Sequence, residues 1–460
     1  MTAPQVIKMY AAREEIYPRE AKGRYASLRW LCVWLTQLAF YVSPWLSWNG
    51  RQALLFDLVS RKFYIFGIVL WPQDFIYLAA LLIICAYLLF LVTAIAGRVW
   101  CGFACPQTVY TEIFLWIERK IEGPRSARML LDKQGPSFSK AAKKTAKHAA
   151  WLAVALWTGF TFVGYFTPIH TLANAVKTLN FGPWEWFWVL FYSLATYGNA
   201  GWLREQVCKY MCPYARFQSA MFDHDTLIIT YDVKRGEPRG ALNKKADAPK
   251  LGDCIDCTLC VQVCPTGIDI RNGLQYECIG CAACVDACNT VMDKIERPRG
   301  LIRYSTDHAL ANNFDSKQIR KRALRPRVLI YTAILALITA AVGTSLFLRT
   351  PLKLDVIRDR GAMGREVEDG MIENVYRLQI MNTSELPHRY KVKVSGLPSL
   401  TLVTPDEVSV AATETYALPV RLRLAHGEGV KGSNKINIEL TALDDARLHV
   451  NEKAVFFVPR

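Results

Sequence analysis

The chain has no cysteine after Cys288, although it contains 14 cysteines among its 460 residues. A disulfide scaffold spread through the whole chain is therefore excluded. A GxGxxG or Walker loop is also missing, so nothing indicates that the chain binds its own nicotinamide, flavin or nucleotide. Acidic residues are fewer than basic ones, 40 against 56, and the formal net charge is +16.

The positive charge is compatible with binding to nucleic acid or to an anionic membrane surface. The arginines and lysines crowd around the ends of long apolar blocks. This placement favours membrane lipid as the partner and argues against nucleic acid.

Five runs without charged residues are long enough to cross a bilayer, which requires about 20 residues. A single run of this kind could be a buried core helix, but five in one chain, most of them flanked by Arg or Lys, favour transmembrane helices. A sixth apolar stretch, 63–72, is too short to span and is typical of an interfacial segment or part of a loop. The five predicted spans are 30–50, 75–97, 149–176, 186–203 and 328–348.

Positive charge also predicts the orientation of these spans. The segment between the second and third spans, 98–148, is rich in Arg and Lys. The segment between the third and fourth spans has a single basic residue, Lys177. We therefore expect a bacterial inner-membrane protein whose N-terminus and 204–327 segment are cytoplasmic. The C-terminal segment is then periplasmic, which agrees with its lack of cysteine.

The C-terminal segment, 349–460, alternates apolar and polar residues with the period of β-strands. The predicted strands are separated by turn-forming residues and have no cluster of catalytic residue types. This pattern predicts a small all-β sandwich of the immunoglobulin-like class without its disulfide. The clearest predicted strands are 374–380, 390–394, 416–424 and 435–440.

Eight cysteines form two quartets with the spacing Cys-x2-Cys-x2-Cys-x3-Cys. This is the spacing of a bacterial two-cluster ferredoxin, in which the fourth cysteine of each run binds the other cluster. A zinc ribbon would require two pairs instead of two quartets. We assign Cys254, Cys257, Cys260 and Cys288 to one 4Fe–4S cluster and Cys278, Cys281, Cys284 and Cys264 to the other.

A second motif, CxxxCP, occurs after the second span and again after the fourth. The spacing predicts that the two thiols of each pair share a helical face, and that the proline marks a change of helix geometry. The two copies suggest a tandem duplication and a redox or metal site near the cytoplasmic interface, with Met211 as a possible further ligand. Its thiols, which we call the tetrad, are those of Cys101, Cys105, Cys208 and Cys212.

Together these features predict a multi-domain membrane protein with a five-helix transmembrane region, an inserted α+β ferredoxin module and a C-terminal all-β domain. The chain divides into seven parts. They are a tail (1–29), the first four spans (30–203), a CxxxCP and linker segment (204–250), the ferredoxin module (251–300), a linker (301–327), the fifth span (328–348) and the outer domain (349–460).

The blocks 97–123 (GRVWCGFACPQTVYTEIFLWIERKIEG) and 204–223 (REQVCKYMCPYARFQSAMFD), followed by the quartets, resemble the CcoG/FixG/RdxA family. These are accessory proteins for assembly of the cbb-type cytochrome c oxidase. The resemblance covers essentially the whole chain. The membrane half with its CxxxCP pairs is also similar to NapH-type quinol dehydrogenases, so those pairs alone are less specific.

The resemblance implies a cupric reductase that uses two 4Fe–4S clusters and takes copper as its substrate. It also implies an external electron donor, a copper chaperone or copper-exporting ATPase that accepts Cu(I), and contact with oxidase assembly factors. Two alternatives are a NapH-like quinol dehydrogenase or electron-transfer protein, and a non-enzymatic assembly scaffold. The tetrad could bind copper or another metal, or cycle between thiol and disulfide.

Overall fold

The computed structural model describes residues 15–178, 180–241, 251–359, 361 and 364–459, so part of the predicted tail and linker lies outside the described residues. The chain divides into two compact units. The first comprises Met1–Ser47 and Leu78–Thr339, and the second comprises Trp48–Tyr77 and Ala340–Arg460.

Helices dominate the first unit. They are α1 (Arg24–Val42), α2 (Phe75–Ala96, shared with the second unit), α3 (Val99–Phe103), α4 (Pro106–Glu122), α5 (Arg125–Lys133), α6 (Phe138–Val163), α7 (Ile169–Thr178), α8 (Pro183–Thr196), α9 (Pro213–Ala220), α10 (Val233–Gly236), α11 (Leu259–Gln262), α12 (Ala283–Lys294), α13 (Asp307–Asn312), α14 (Ser316–Ala323) and α15 (Pro326–Phe347, also shared).

Two π-helical segments, Tyr197–Leu203 and Val207–Met211, follow α8. The helices pack through a core in which the ring of Trp151 stacks on that of Phe114, with ring centroids 5.3 Å apart. This core fixes α4, α6 and the first π-helical segment against one another, and so positions both CxxxCP motifs.

Each of the five predicted spans overlaps a helix, although the first, 30–50, continues past the end of α1 into the short strand Ser47–Trp48. Within the described part of the chain, only Pro72–Ala96 and Pro326–Phe347 are long and apolar enough to cross a membrane. The prediction of five spans is therefore not confirmed. The helix α8 ends after 14 residues, and α6 begins with a lysine-rich turn that lowers its hydropathy. Large apolar side chains are nevertheless exposed along α1, including Trp34 at 61% and Leu35 at 59%.

The ferredoxin module extends beyond its predicted limits. A strand Ile228–Tyr231 pairs antiparallel with a second strand, Ile302–Ser305, which lies in the segment predicted to be a linker. The two strands bracket the cysteine-rich loops, and Ile229 and Ile302 belong to the same buried core as Cys254 and Cys260. Burial of these apolar strands closes the module around its thiols.

The strands of the whole chain, in order, are β1 (Ser47–Trp48), β2 (Arg51–Gln52), β3 (Leu54–Asp57), β4 (Lys62–Ile65), β5 (Ile68–Leu70), β6 (Ile228–Tyr231), β7 (Ile302–Ser305), β8 (Leu352–Arg358), β9 (Arg365–Glu366), β10 (Ile372–Asn382), β11 (His388–Ser395), β12 (Thr401–Leu402), β13 (Glu407–Val410), β14 (Thr415–Leu424), β15 (Gly432–Ala442) and β16 (His449–Val458).

The second unit contains two antiparallel sheets, in the orders β12-β14-β10-β8 (with β9 also on β10) and β13-β11-β15-β16. Inward-facing residues of both sheets form one core that includes the fully buried Leu378, Val420, Ile438 and Phe456. The predicted strands 374–380, 390–394, 416–424 and 435–440 are all confirmed, because each lies within β10, β11, β14 or β15.

The stretch 48–77 belongs to this second unit, whereas the sequence predicted an outer domain that begins at residue 349. Its apolar part, 63–72, is mostly not a loop, because β4 and β5 pair with β3 in a small sheet. The interfacial location of this part stays a prediction. Among the described residues, three ion pairs join the stretch to the rest of the unit: Arg51 with Glu385 and Asp74 with Arg349, each at 2.8 Å, and Asp74 with Lys353.

Candidate iron–sulfur and thiol site

The structure brings Cys254, Cys257, Cys260 and Cys288 together around one small apolar cavity. The rest of its lining is mostly aliphatic and includes Leu259, Val291 and Ile302. These four cysteines are the ones that the sequence assigns to one cluster, and they come from a loop, from α11 and from α12. We refer to them as the first quartet.

A second small cavity is lined by Cys264, Cys278, Cys281 and Cys284, which we call the second quartet. Isoleucines make up much of its remaining lining, and Cys260 borders it as well as the first cavity. The two cavities are therefore adjacent. Four thiols around an apolar cavity are the donor set of a 4Fe–4S cluster, so the residues fit two clusters.

The backbone around the two quartets repeats. Asp256 and Thr258, which flank Cys257, have φ of 51° and 58°, and Gly280 and Ala282, which flank Cys281, have φ of 67° and 57°. Left-handed residues are uncommon outside glycine. Backbone that alternates between right- and left-handed residues forms concave nests that bind anions, including iron–sulfur clusters. The sequence spacing gave no sign of this feature.

Burial raises the pKa of five quartet thiols, those of Cys260, Cys278, Cys281, Cys284 and Cys288. The pKa is about 11 for Cys260 and about 12 for Cys278 and Cys288. Without metal these thiols are protonated at neutral pH, because desolvation disfavours the thiolate. Insertion of a cluster must therefore release protons.

The two CxxxCP motifs occupy matching positions. Cys105 is the N-cap of α4 with Pro106 at its first position, and Cys212 is the N-cap of α9 with Pro213 at its first position. Proline suits this position because it has no amide hydrogen to donate. The predicted common helical face is wrong in detail, since each second cysteine lies outside the preceding helix and Cys208 lies in a π-helical segment.

The four thiols of the tetrad lie within electrostatic reach of one another. Burial raises the pKa of Cys101 to about 11, with smaller contributions from Cys105 and Cys212. Burial likewise raises the pKa of Cys208 to about 12, and the other three thiols add to the shift. A thiolate at either position is disfavoured until a cation or metal compensates its charge.

No group of three or more His, Cys, Asp or Glu side chains in the described ranges is close enough to hold a single metal ion. This holds for the tetrad as well as for both quartets. Met211, the possible further ligand, is 59% exposed at the end of its π-helical segment. The assignment of copper to these residues stays a prediction.

Two cysteines of the tetrad, Cys101 and Cys208, pack against the second quartet. Cys101 belongs to a buried cluster with Ile279, Cys281 and Ala283, and Cys208 packs against the same cluster. A Cβ atom at Gly102 would lie 2.8 Å from the Cα atom of Cys281, so only glycine allows this approach of α3 to the loop. The structure therefore places Cys101 and Cys208 beside Cys281 and Cys284.

Hydrogen bonds hold this arrangement. The Arg29 guanidinium donates to the carbonyl oxygen of Cys281 at 2.6 Å. The Gln218 side-chain oxygen accepts from the Cys101 thiol and from Arg98 Nε, each at 3.2 Å, while its nitrogen donates to Thr93. Sequence reasoning missed Arg29 and Gln218. The only signal for Gln218 was its place in the block 204–223.

Three family models match the chain. One, described as a 4Fe-4S dicluster domain, matches residues 203–307, and one, described as an Ig-like fold at the C-terminal of FixG, matches 342–459. The third, described as a 4Fe-4S binding domain, matches 78–124, which includes Cys101 and Cys105. The first two models bear out the ferredoxin module, the presence of iron–sulfur clusters and the immunoglobulin-like domain.

The chain is similar over most of its length to three curated proteins. It is 40% identical to "Nitrogen fixation protein FixG" of Rhizobium meliloti over 427 residues, 86% of this chain and 82% of the relative. It is 39% identical to "Protein RdxB" of Cereibacter sphaeroides over 96% of each chain. It is also 39% identical to "Protein RdxA" of the same organism over 95% of each chain. The chain therefore belongs to the FixG/RdxA family of iron–sulfur oxidoreductases, as the resemblance of its cysteine motifs implied.

Proposed function

We propose that this chain is a membrane-bound oxidoreductase that reduces Cu(II) to Cu(I) for assembly of the cbb-type cytochrome c oxidase. The observation that carries the proposal is the backbone contact between Gly102 and Cys281, which sets the tetrad against the second quartet. When bound, the 4Fe–4S clusters would supply electrons one at a time, which is the stoichiometry of the Cu(II)/Cu(I) couple.

The residues of the tetrad suit copper as a substrate. Soft thiolate ligands prefer Cu(I), whereas Cu(II) favours nitrogen and oxygen donors. Binding at Cys101 and Cys208 would therefore favour the reduced ion and raise the potential of the couple. The same preference slows release of Cu(I), so a copper chaperone or copper-exporting ATPase is the expected acceptor.

The membrane location rests on two observations. Within the described residues, two helices are long and apolar enough to span a bilayer, and α1 exposes Trp34 and Leu35 beside further apolar side chains. Exposed apolar surface of this kind is typical of contact with lipid or a partner protein. With the asymmetry of Lys and Arg, it supports an inner-membrane protein with a cytoplasmic ferredoxin module and a periplasmic C-terminal domain.

A second function is favoured by the family model that matches 78–124, since its description names a 4Fe–4S site where Cys101 and Cys105 lie. In this case the tetrad would hold a third cluster, and the chain would pass electrons to a separate acceptor as an electron-transfer protein. Copper would then not be the substrate.

A single-turnover experiment tests the proposal. The purified protein is reduced with dithionite, freed of excess reductant under anaerobic conditions and mixed with Cu(II) and a Cu(I)-specific chelator. We expect Cu(I) to appear as the iron–sulfur absorption returns, and expect Cys101→Ser and Cys208→Ser to prevent both. Cys85→Ser is the matched control, because Cys85 is exposed on α2, outside both motifs. Equal Cu(I) production by all variants would refute the proposal.

A further inference from the structure

A basic groove lies next to the cavity of the first quartet. Its volume is about 880 Å³, and it is formed by the segment before α1, by the end of α4 and by α11 and α12 of the ferredoxin module. We define the basic groove by the five cations of its lining that form no ion pair with another described residue: Arg19, Lys22, Lys120, Arg125 and Lys294.

The charge of this groove is largely uncompensated. Glu20 is the one acidic residue of the lining, and among the described residues none of the five cations forms an ion pair within 4 Å. Arg125 donates to the backbone carbonyl of Tyr17 at 2.8 Å. A sixth cation of the lining, Arg119, is paired with Glu112 at 3.6 Å. Arg19, Lys22, Lys120 and Lys294 are exposed, so the groove presents a strong positive field to solvent.

The groove and the cavity of the first quartet share part of their lining. Leu259 and Val291 line both the groove and the cavity of Cys254, Cys257, Cys260 and Cys288. A molecule seated in the groove is therefore separated from the first quartet by a single layer of side chains. Two other lining residues, Val263 and Ala287, belong to the buried cluster that contains Cys101 and Cys281. The groove therefore borders the first quartet directly and also lies beside the packing around the second quartet.

The groove is also held in shape by hydrogen bonds. The Arg19 amide donates to the carbonyl oxygen of Gln262 at 2.8 Å. The amides of Tyr25 and Ala26 donate to the Asp286 carboxylate at 3.2 and 2.7 Å. These contacts tie the segment before α1 and the first turn of α1 to α11 and α12, so the cations need little ordering when a partner binds.

We propose that the basic groove docks a small acidic one-electron carrier protein, which donates the electrons for the reaction. This rests on the proposed function. In the balanced reaction, one reduced carrier and one Cu(II) give one oxidised carrier and one Cu(I). Protons that the tetrad loses when it binds copper return when Cu(I) leaves, so no net proton is exchanged. Charge complementarity identifies the partner as acidic and speeds its association. A carrier protein is favoured because its redox centre must approach Leu259 and Val291 closely.

The test measures binding first. The probe is a small acidic 2Fe–2S ferredoxin, and its dissociation constant is measured for the full chain in nanodiscs of neutral lipid between 50 and 500 mM salt. We expect the parent protein to bind most tightly at low salt. The double variant Lys22→Glu/Lys294→Glu should weaken binding about tenfold or more at low salt, because it reverses two of the five charges. Lys317→Glu is the control, since Lys317 is exposed on α14 and does not line the groove.

A second measurement separates this inference from the proposed function. The rate at which the reduced ferredoxin bleaches the iron–sulfur absorption should fall in the double variant by a similar factor, while dithionite reduces parent and variant alike. Cu(II) reduction by parent protein already reduced with dithionite does not require a carrier, and tests the proposed function alone. Unchanged ferredoxin affinity in the double variant overturns the inference. So does a variant that binds ferredoxin normally but loses affinity for phosphatidylglycerol vesicles, because the groove would then be a lipid site.

Discussion

The backbone of Gly102 lies against that of Cys281, so that a Cβ atom at residue 102 would fall 2.8 Å from both the Cα and the amide nitrogen of Cys281. The two residues are far apart in the sequence, one after the second predicted span and the other in the ferredoxin module. Their contact joins the CxxxCP motif to the second quartet. Because backbone atoms are involved, no rotation of a side chain can make room for a larger residue.

Replacing Gly102 should therefore uncouple the two thiol groups. We expect Gly102→Ala to cost about 1–3 kcal/mol of stability, as overpacking of a dense core does, and to slow single-turnover Cu(II) reduction. Iron content and reduction by dithionite should be retained. Gly198→Ala is the matched control, because a Cβ atom there meets no atom within 4 Å. Parent-like Cu(II) reduction by a folded Gly102→Ala protein would show that this contact does not matter.

The iron content should be about eight per chain, the content of two 4Fe–4S clusters. Cys264→Ser should damage the cluster of Cys278, Cys281 and Cys284, because Cys264 lines their cavity. Iron analysis and the electron paramagnetic resonance signal of each cluster measure this. Loss of the cluster of Cys254, Cys257 and Cys260 instead would contradict the crossover. About twelve irons that fall to eight in Cys101→Ser would assign a third cluster to the tetrad.

Local patterns in the sequence predicted much of this architecture. The spacing of the two quartets predicted which four cysteines meet at each cavity, and the alternation of apolar residues predicted β10, β11, β14 and β15. The Cys-Pro pairs correctly marked changes of helix geometry, because proline favours the first turn of a helix. These features depend on residues that are close together in the chain.

Other features depend on contacts between distant residues, for which the sequence has no local signal. The pairing of Arg51 with Glu385 places the stretch 48–77 in the second unit. The bond from Arg29 to Cys281 links the first helix to a cysteine loop of the module. The π-helical segment that carries Cys208 contains no Gly or Pro that would mark a departure from α-helical geometry, so its geometry could not be predicted from residue types.

The second unit should lose stability in acid through Glu373. Burial would raise the pKa of this side chain, but hydrogen bonds from Arg365 and Arg423 outweigh burial and hold the pKa below its usual value. The resulting stability is present above the unfolded pKa of about 4.5 and is lost as the pH falls through the lower folded pKa. Hydrogen exchange of β10, corrected for the intrinsic rate, should show this loss in the parent protein.

Glu373→Gln provides the comparison. The variant should be about 2 kcal/mol less stable at neutral pH, because the hydrogen bonds that Arg365 and Arg423 donate to a buried charge are weakened. Its exchange should depend less on pH in the acidic range. An equally steep acid dependence in the variant would mean that other carboxylates are responsible.

The orientation can be tested by labelling and proteolysis. A thiol reagent that cannot cross membranes should leave the cysteines of intact spheroplasts unmodified and react after lysis. Protease added outside should cleave after Arg349 and leave the ferredoxin module whole, because the basic segment 98–148 favours the cytoplasmic side. Cleavage between residues 204 and 327 in intact spheroplasts would contradict the predicted topology.

Binding of Cu(I) to the tetrad should release protons. Burial raises the pKa of Cys101 to about 11 and that of Cys208 to about 12, so both are thiols at pH 7 and must lose their protons to become ligands. The affinity for Cu(I) should therefore increase as the pH rises from 6 to 9. Competition with a Cu(I) chelator of known affinity measures how steeply the logarithm of the affinity rises with pH. This slope gives the number of protons released per ion, which Cys101→Ser and Cys208→Ser should each reduce by about one. Cys85→Ser should leave the slope unchanged. If the affinity of the parent protein does not change with pH, Cys101 and Cys208 are not the ligands that take up the ion.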